Sequence, residues 1–106
     1  MADIKVKDFI FGMPTRFAAE KAIGLEATIQ FMISGQDGGN FVLHLNNGIC
    51  TAHEGLEASP TLTLIMSSET YIGMAIGKLK GPQAFFVRKL RFEGETKLLM
   101  KMHSLF

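Results

Sequence analysis

The sequence contains no tryptophan, one tyrosine, three prolines and a single cysteine, Cys50. One cysteine excludes an intramolecular disulfide framework, and a reducing cytosol suits it. No apolar run approaches the ~20 residues of a membrane span. No charged n-region leads into a continuous apolar stretch, so no signal peptide is expected. The final Ser104-Leu105-Phe106 differs from the Ser-Lys-Leu peroxisomal address. A cytoplasmic location is the expectation.

What is present is apolar bulk. Hydrophobic residues make up 47% of the 106 positions and charged residues 20%. That balance predicts one globular domain over residues 1–106, large enough to bury a core without disulfides or metals. Nine Phe and seven Met stand out; such residues build ordinary cores and also adaptable walls for flexible apolar ligands. The net charge of +1 hides an asymmetry. Residues 1–76 carry four basic against eight acidic groups, whereas residues 77–106 carry seven basic groups against Glu93 and Glu95. A basic end can favour anionic headgroups or a membrane surface, or can simply solvate strand and helix faces.

Val6, Phe9, Ile10, Met13 and Phe17 recur at helical spacing, with Pro14 expected to kink or divide that helix. Ala18 to Ile23 can add a helical turn before Gly24. Ala27, Ile29, Phe31 and Ile33 then alternate with Thr28, Gln30, Met32 and Ser34, as Phe41, Leu43 and Leu45 do with Val42, His44 and Asn46. Asn47-Gly48 predicts a two-residue hairpin because both positions tolerate positive φ. A third strand runs from Ile49 to Glu54, and Leu62, Leu64 and Met66 mark a fourth. Ser67 offers an N-cap to a helix ending near Gly77. Gly81-Pro82 starts a short helix with Pro at its first position. Leu90 and Phe92 mark a fifth strand, and Leu98, Leu99, Met102, Leu105 and Phe106 form the apolar stripe of a last helix. The expected order is a helix, four antiparallel strands, helices, a strand and a helix: an α+β fold with helices covering one sheet face.

Catalytic chemistry finds little support. With Asn47-Gly48 as the loop, Leu45 opposes Cys50 and His44 opposes Thr51. His44, Thr51 and His53 then share the polar face while Cys50 points toward the core. Cys50 and the two histidines therefore diverge, so no metal site is expected from the three together. Ser67 and Ser68 sit where capping is needed, and Glu93 and Glu95 have no evident base or cleft partner. Gly35, Gly38 and Gly39 fall between strands, whereas a phosphate-cradling loop should open a helix. His103 is expected on the last helix, solvated or partly packed. No catalytic residue, cofactor or nucleic-acid partner is expected.

The order of short motifs resembles a known family. Met66-Ser67-Ser68-Glu69-Thr70-Tyr71, Gly77-Lys78-Leu79, Pro82-Gln83-Ala84-Phe85-Phe86, Lys89-Leu90, Gly94 and Leu98-Leu99-Met100-Lys101-Met102 are similar to the sterol-binding domain of the sterol carrier protein type 2 family. Met13-Pro14-Thr15-Arg16-Phe17, Gly24-Leu25 and His53-Glu54-Gly55 resemble bacterial or archaeal single-domain members. The resemblance implies a five-stranded, largely antiparallel sheet and a hydrophobic tunnel between sheet and helices, bounded partly by the last helix. It implies non-catalytic binding, and in some members transfer, of sterols, fatty acids, acyl-CoA or phospholipids. On that basis Phe31, Ile33, Leu43, Phe85, Phe86, Leu98, Leu99 and Met102 are expected to line the tunnel, with Met74, Leu105 and Phe106 at its edge. The family often places a small or polar residue and then Gly before the Lys-Leu strand. Here Val87-Arg88 fills that slot, so the Arg88 cation is the candidate headgroup contact. An anionic lipid is favoured as partner, with transient membrane contact. Presentation of a hydrophobic substrate to a partner enzyme, or as a homodimer, is the alternative reading.

Overall fold

The computed structural model describes residues 5–106, the side chain of His103 apart. Alternating apolar side chains build the sheet. Strand β1 (Glu26–Ser34) buries Ala27, Ile29, Phe31 and Ile33 on one face, and β2 (Gly39–Asn46) buries Phe41, Leu43 and Leu45 on the same face. The two pair antiparallel, with Phe31 opposite Phe41. Asn47 and Gly48 turn the chain at φ 49° and 86°, and the mirror-image twist of this turn fits the twist of the strands. Strand β3 (Ile49–Glu54) therefore returns with His44 opposite Thr51 and Leu45 opposite Cys50, the register the two-residue loop predicts.

β4 (Leu62–Ser67) does not continue the meander. It lies parallel to β1, and the sheet order is β3-β2-β1-β4-β5. The expectation of four antiparallel strands is corrected here. A parallel neighbour needs a crossover, and residues 55–61 supply it by passing over β2 and β1 on the face away from the helices. Buried Gln30 marks that route: Glu57 N–H donates to its Oε1 at 2.7 Å, and its Nε2 donates to Gly55 O at 3.0 Å. Val42, opposite Gln30 in the ladder, is buried on the same face. β5 (Leu90–Gly94) closes the other edge antiparallel to β4. Gly94, at φ 111°, ends it so close to the Thr61 carbonyl that a Cβ would collide.

Four helices cover the opposite face. α1 (Val6–Arg16) buries Val6, Ile10 and Met13, one stripe at helical spacing. It is a single helix, so the expected division at Pro14 does not occur. Pro14 sits in the last turn, where its missing N–H removes one bond and only Thr15 and Arg16 follow. A short 3-10 turn, Ala19–Lys21, leads into β1. α2 (Ser68–Ala75) starts at Ser67, whose Oγ accepts from Thr70 N at 3.1 Å, the capping geometry expected. α3 (Gly81–Phe86) and α4 (Thr96–Leu105) flank β5 in sequence. α4 is tied back to the start of the fold: Ala18 N–H donates to Leu105 O at 2.8 Å, and the Phe17 and Phe106 rings lie 5.5 Å apart. No described helix is long and apolar enough to cross a membrane.

Candidate functional site

The layer between helices and sheet is the core itself. Ile10, Ile29, Leu43, Leu62 and Leu105 are fully buried there. Tyr71 stands near its centre. Its ring meets Phe31 edge-on at 6.0 Å and Phe9 at 6.5 Å, and its hydroxyl donates to Met13 Sδ at 3.5 Å. Burial pushes its phenol up to about 12, with the Arg16 charge pulling weakly the other way.

Of the residues expected to line a tunnel, Phe31, Ile33, Leu43, Leu98 and Leu105 are buried in this layer. Met74, Leu99, Met102 and Phe106 pack against it and are partly buried. Phe85 and Phe86 are not gathered into it. Phe86 is 86% exposed and Phe85 52% exposed, the latter resting on Phe92 of β5 at 5.6 Å between rings. Tyr71, Phe9 and Phe17 join the layer without having been singled out, although Phe9 and Phe17 belonged to the apolar stripe of α1.

The end of α3 forms an edge of another character. Exposed Phe85, Phe86 and Val87 lie within a segment carrying Lys78, Lys80, Arg88 and Lys89. Among the described residues, none of these four cations pairs with a carboxylate; the pairs formed are Lys7 with Glu54 at 2.6 Å and His44 with Glu57 at 3.5 Å. Hydrogen bonding to Glu54, then its charge, raises the Lys7 ammonium above its ordinary value. Arg88 adopts φ 63°, the left-handed region that a side chain resists. That conformation gives a physical reason for a glycine in this slot, and Arg88 holds it at a cost.

The hairpin holds the polar groups. His44 and His53 share the outer face, as the register requires, while Cys50 faces the helices. Desolvation pushes the Cys50 thiol up to about 11, which keeps it protonated and unreactive. The two His Nε2 atoms approach to 2.9 Å. Glu57, brought beside them by the crossover, had no signal in the sequence because its loop position depends on a long-range contact with Gln30. Two shallow surface clefts, of about 280 and 260 Å³, include no residue of α2, α3 or α4 in their walls.

The geometry is thus an α+β sheet with a Phe- and Met-rich layer under its helices and a basic, apolar edge beside it. The model of the SCP-2 sterol transfer family matches residues 13–106, and the chain belongs to that family. Membership makes it a domain of the lipid-binding and lipid-transfer kind. It is 35% identical over 78 residues to Hydroxysteroid dehydrogenase-like protein 2 of Xenopus tropicalis, a match covering 72% of this chain and 18% of that protein. The chain thus spans less than a fifth of that relative's length. Among solved structures, Sterol Carrier Protein 2 Like 2 of Aedes aegypti superposes with TM-score 0.77 at 18% identity, covering 95% of each chain. Its palmitated form in solution gives 0.74 at 18% identity, covering 93% of this chain and 91% of that one. A stereoselective inverting sec-alkylsulfatase of Pseudomonas sp. gives 0.84 at 22% identity, covering 97% of this chain and 16% of that one. At these identities the structural matches establish the fold.

Proposed function

We propose that the chain carries a lipid with a long acyl chain and an anionic head (a fatty acid, acyl-CoA or phospholipid before a sterol) between its sheet and the α3–α4 side. The observation that carries this reading is the exposed Phe85-Phe86-Val87 edge set among Lys78, Lys80, Arg88 and Lys89. Apolar side chains that enter an interface and cations that meet anionic headgroups make such an edge suited to transient membrane contact. The palmitated relative supports an acyl ligand. Leu43 and Leu105 are fully buried in the layer, so a ligand reaching between them would displace side chains of β2 and α4.

Energetics favour a movable wall over a tight trap. Each buried acyl methylene is worth about 0.8 kcal/mol relative to water, on the order of 10 kcal/mol for a long chain. Most of that gain already exists in a bilayer, so exchange needs only an interior of similar apolarity. Phe31, Ile33, Leu43, Leu98, Leu99 and Met102 would surround the chain, with Phe85 and Phe86 at the entrance and Met74, Leu105 and Phe106 at the rim. Arg88 would meet the head. The chain is read as a binding domain rather than a catalyst, in keeping with the family it belongs to. Titration with a fluorescent fatty acid tests the reading: saturable binding at one per chain is expected, and a folded protein that ignores fatty acids and acyl-CoA would refute it.

The small share of its relatives' length that the chain covers favours a second reading, presentation of a hydrophobic substrate to a partner enzyme, alone or as a homodimer. Stable capture of a partner with no exchange of lipid between vesicles would select it.

A further inference from the structure

We propose that His44, His53 and Glu57 form a binding site for a divalent cation of the zinc type on the outer face of the sheet. Their donor atoms lie within 4.8 Å of one another. His44 Nε2 is 2.9 Å from His53 Nε2 and 3.5 Å from Glu57 Oε2. Two ligands of a tetrahedral zinc, each bound at ~2.0–2.1 Å, stand about 3.3 Å apart. The His44–Glu57 separation already matches that spacing, the two imidazoles need to part by a few tenths of an ångström, and the Glu57 carboxylate must swing toward His53, from which it stands up to 4.8 Å away. The ring planes are 20° apart with centroids at 5.0 Å, so the Nε2 atoms face each other nearly head-on. Turning each ring by about 35°, as a tetrahedral angle at the ion requires, directs both lone pairs to a shared ion, and the solvent-facing surface leaves room for that motion.

The surroundings orient these donors. His53 Nδ1 lies 2.9 Å from Glu54 O. A carbonyl can only accept, so Nδ1 carries the proton and Nε2 presents its lone pair, the tautomer a ligating imidazole needs and the outer-shell bond such ligands commonly make. His44 Nε2–H then donates to His53, and a metal takes the place of that proton once His44 adopts the other tautomer. Glu57 is held by Gln30, 2% exposed, through the 2.7 Å bond from its backbone N–H. Two imidazoles and one carboxylate suit zinc, copper or nickel over magnesium and calcium, which prefer oxygen ligands. Three protein ligands leave a fourth position for water. The bound ion would link β2, β3 and the crossover, and binding to the folded state alone raises stability.

Isothermal titration of tag-free protein with zinc sulfate, in buffer without chelators or phosphate, tests the site. One zinc per chain, a higher melting temperature and no response to magnesium are expected. His44→Ala, His53→Ala and Glu57→Gln should each weaken binding by more than about tenfold, while Cys50→Ser leaves it unchanged. Nitrogen-15 spectra of the unmodified chain give a readout independent of variant folding: zinc should move the Nε2 resonances of His44 and His53. Absence of stoichiometric binding, binding that survives the His44→Ala/His53→Ala double variant, or zinc that shifts neither ring would overturn the proposal.

Discussion

Gln30 and Glu57 hold the crossover onto the sheet: the Glu57 N–H donates to Gln30 Oε1 at 2.7 Å, beneath which Gln30 Nε2 reaches the carbonyls of Phe41 and Gly55. The connection that makes β4 parallel to β1 therefore rests on a buried amide. Gln30→Leu should destabilise by about 1–3 kcal/mol, because it leaves buried polar groups without partners. Gln30→Glu should cost more, since a carboxylate would face carbonyl oxygens. Urea denaturation measures both, and a Gln30→Leu change within about 0.5 kcal/mol of the parent would contradict this role.

Phe86 tests the exposed edge. Phe86→Ser should leave stability within about 0.5 kcal/mol, as for other surface changes, yet weaken binding to phosphatidylserine vesicles. Reversing Lys80 or Lys89 to Glu should weaken it as well. Removing the cation alone is worth about 1 kcal/mol, roughly fivefold, near an anionic surface, and the effect should fade in high salt. Vesicle co-sedimentation reads this directly; equal binding to neutral and anionic vesicles would argue against the charged edge.

Arg88 separates conformation from charge. At φ 63° an arginine is strained where glycine is not. Arg88→Gly should hold stability or raise it by up to about 1 kcal/mol, while reducing affinity for an anionic lipid head. Thermal melts paired with fatty-acid titration distinguish the two effects. A loss of stability with unchanged lipid affinity would reverse the assignment.

Cys50 and Tyr71 set the alkaline limit. Desolvation raises the thiol from 9.0 to about 11 and the phenol from 10.0 to about 12. Above pH 9 the unfolded chain loses its thiol proton first, so it binds fewer protons than the folded chain and stability falls as pH rises. The decline should run from about pH 9 to 11 for Cys50 and from 10 to about 12 for Tyr71. Cys50→Ser should remove the earlier part in chemical denaturation followed across pH, and a curve unchanged by that substitution would show the thiol to be solvated.

Local chemistry made much of this fold readable. Asn47-Gly48 fixed the β2–β3 register, which then placed His44 and His53 on one face and Cys50 on the other. Ser67 fixed the start of α2, and alternation in β1 and β2 identified Phe31, Ile33 and Leu43 as inward. Non-local facts were not readable. Alternation assigns a face but not a neighbour, so the parallel β1–β4 pair was missed. With it went the crossover, the burial of Gln30 and Val42, and the arrival of Glu57 beside two histidines. Phe85 and Phe86 read as wall residues because they are large and apolar; as neighbours in sequence they project about 100° apart on α3, and it is Ala84 that takes the buried face.

Native mass spectrometry of the protein as purified, followed by addition of palmitate, tests the central claim most directly. The account predicts one acyl lipid per folded chain, either carried through purification or taken up on addition. A folded chain that stays empty and binds neither palmitate nor acyl-CoA would contradict it.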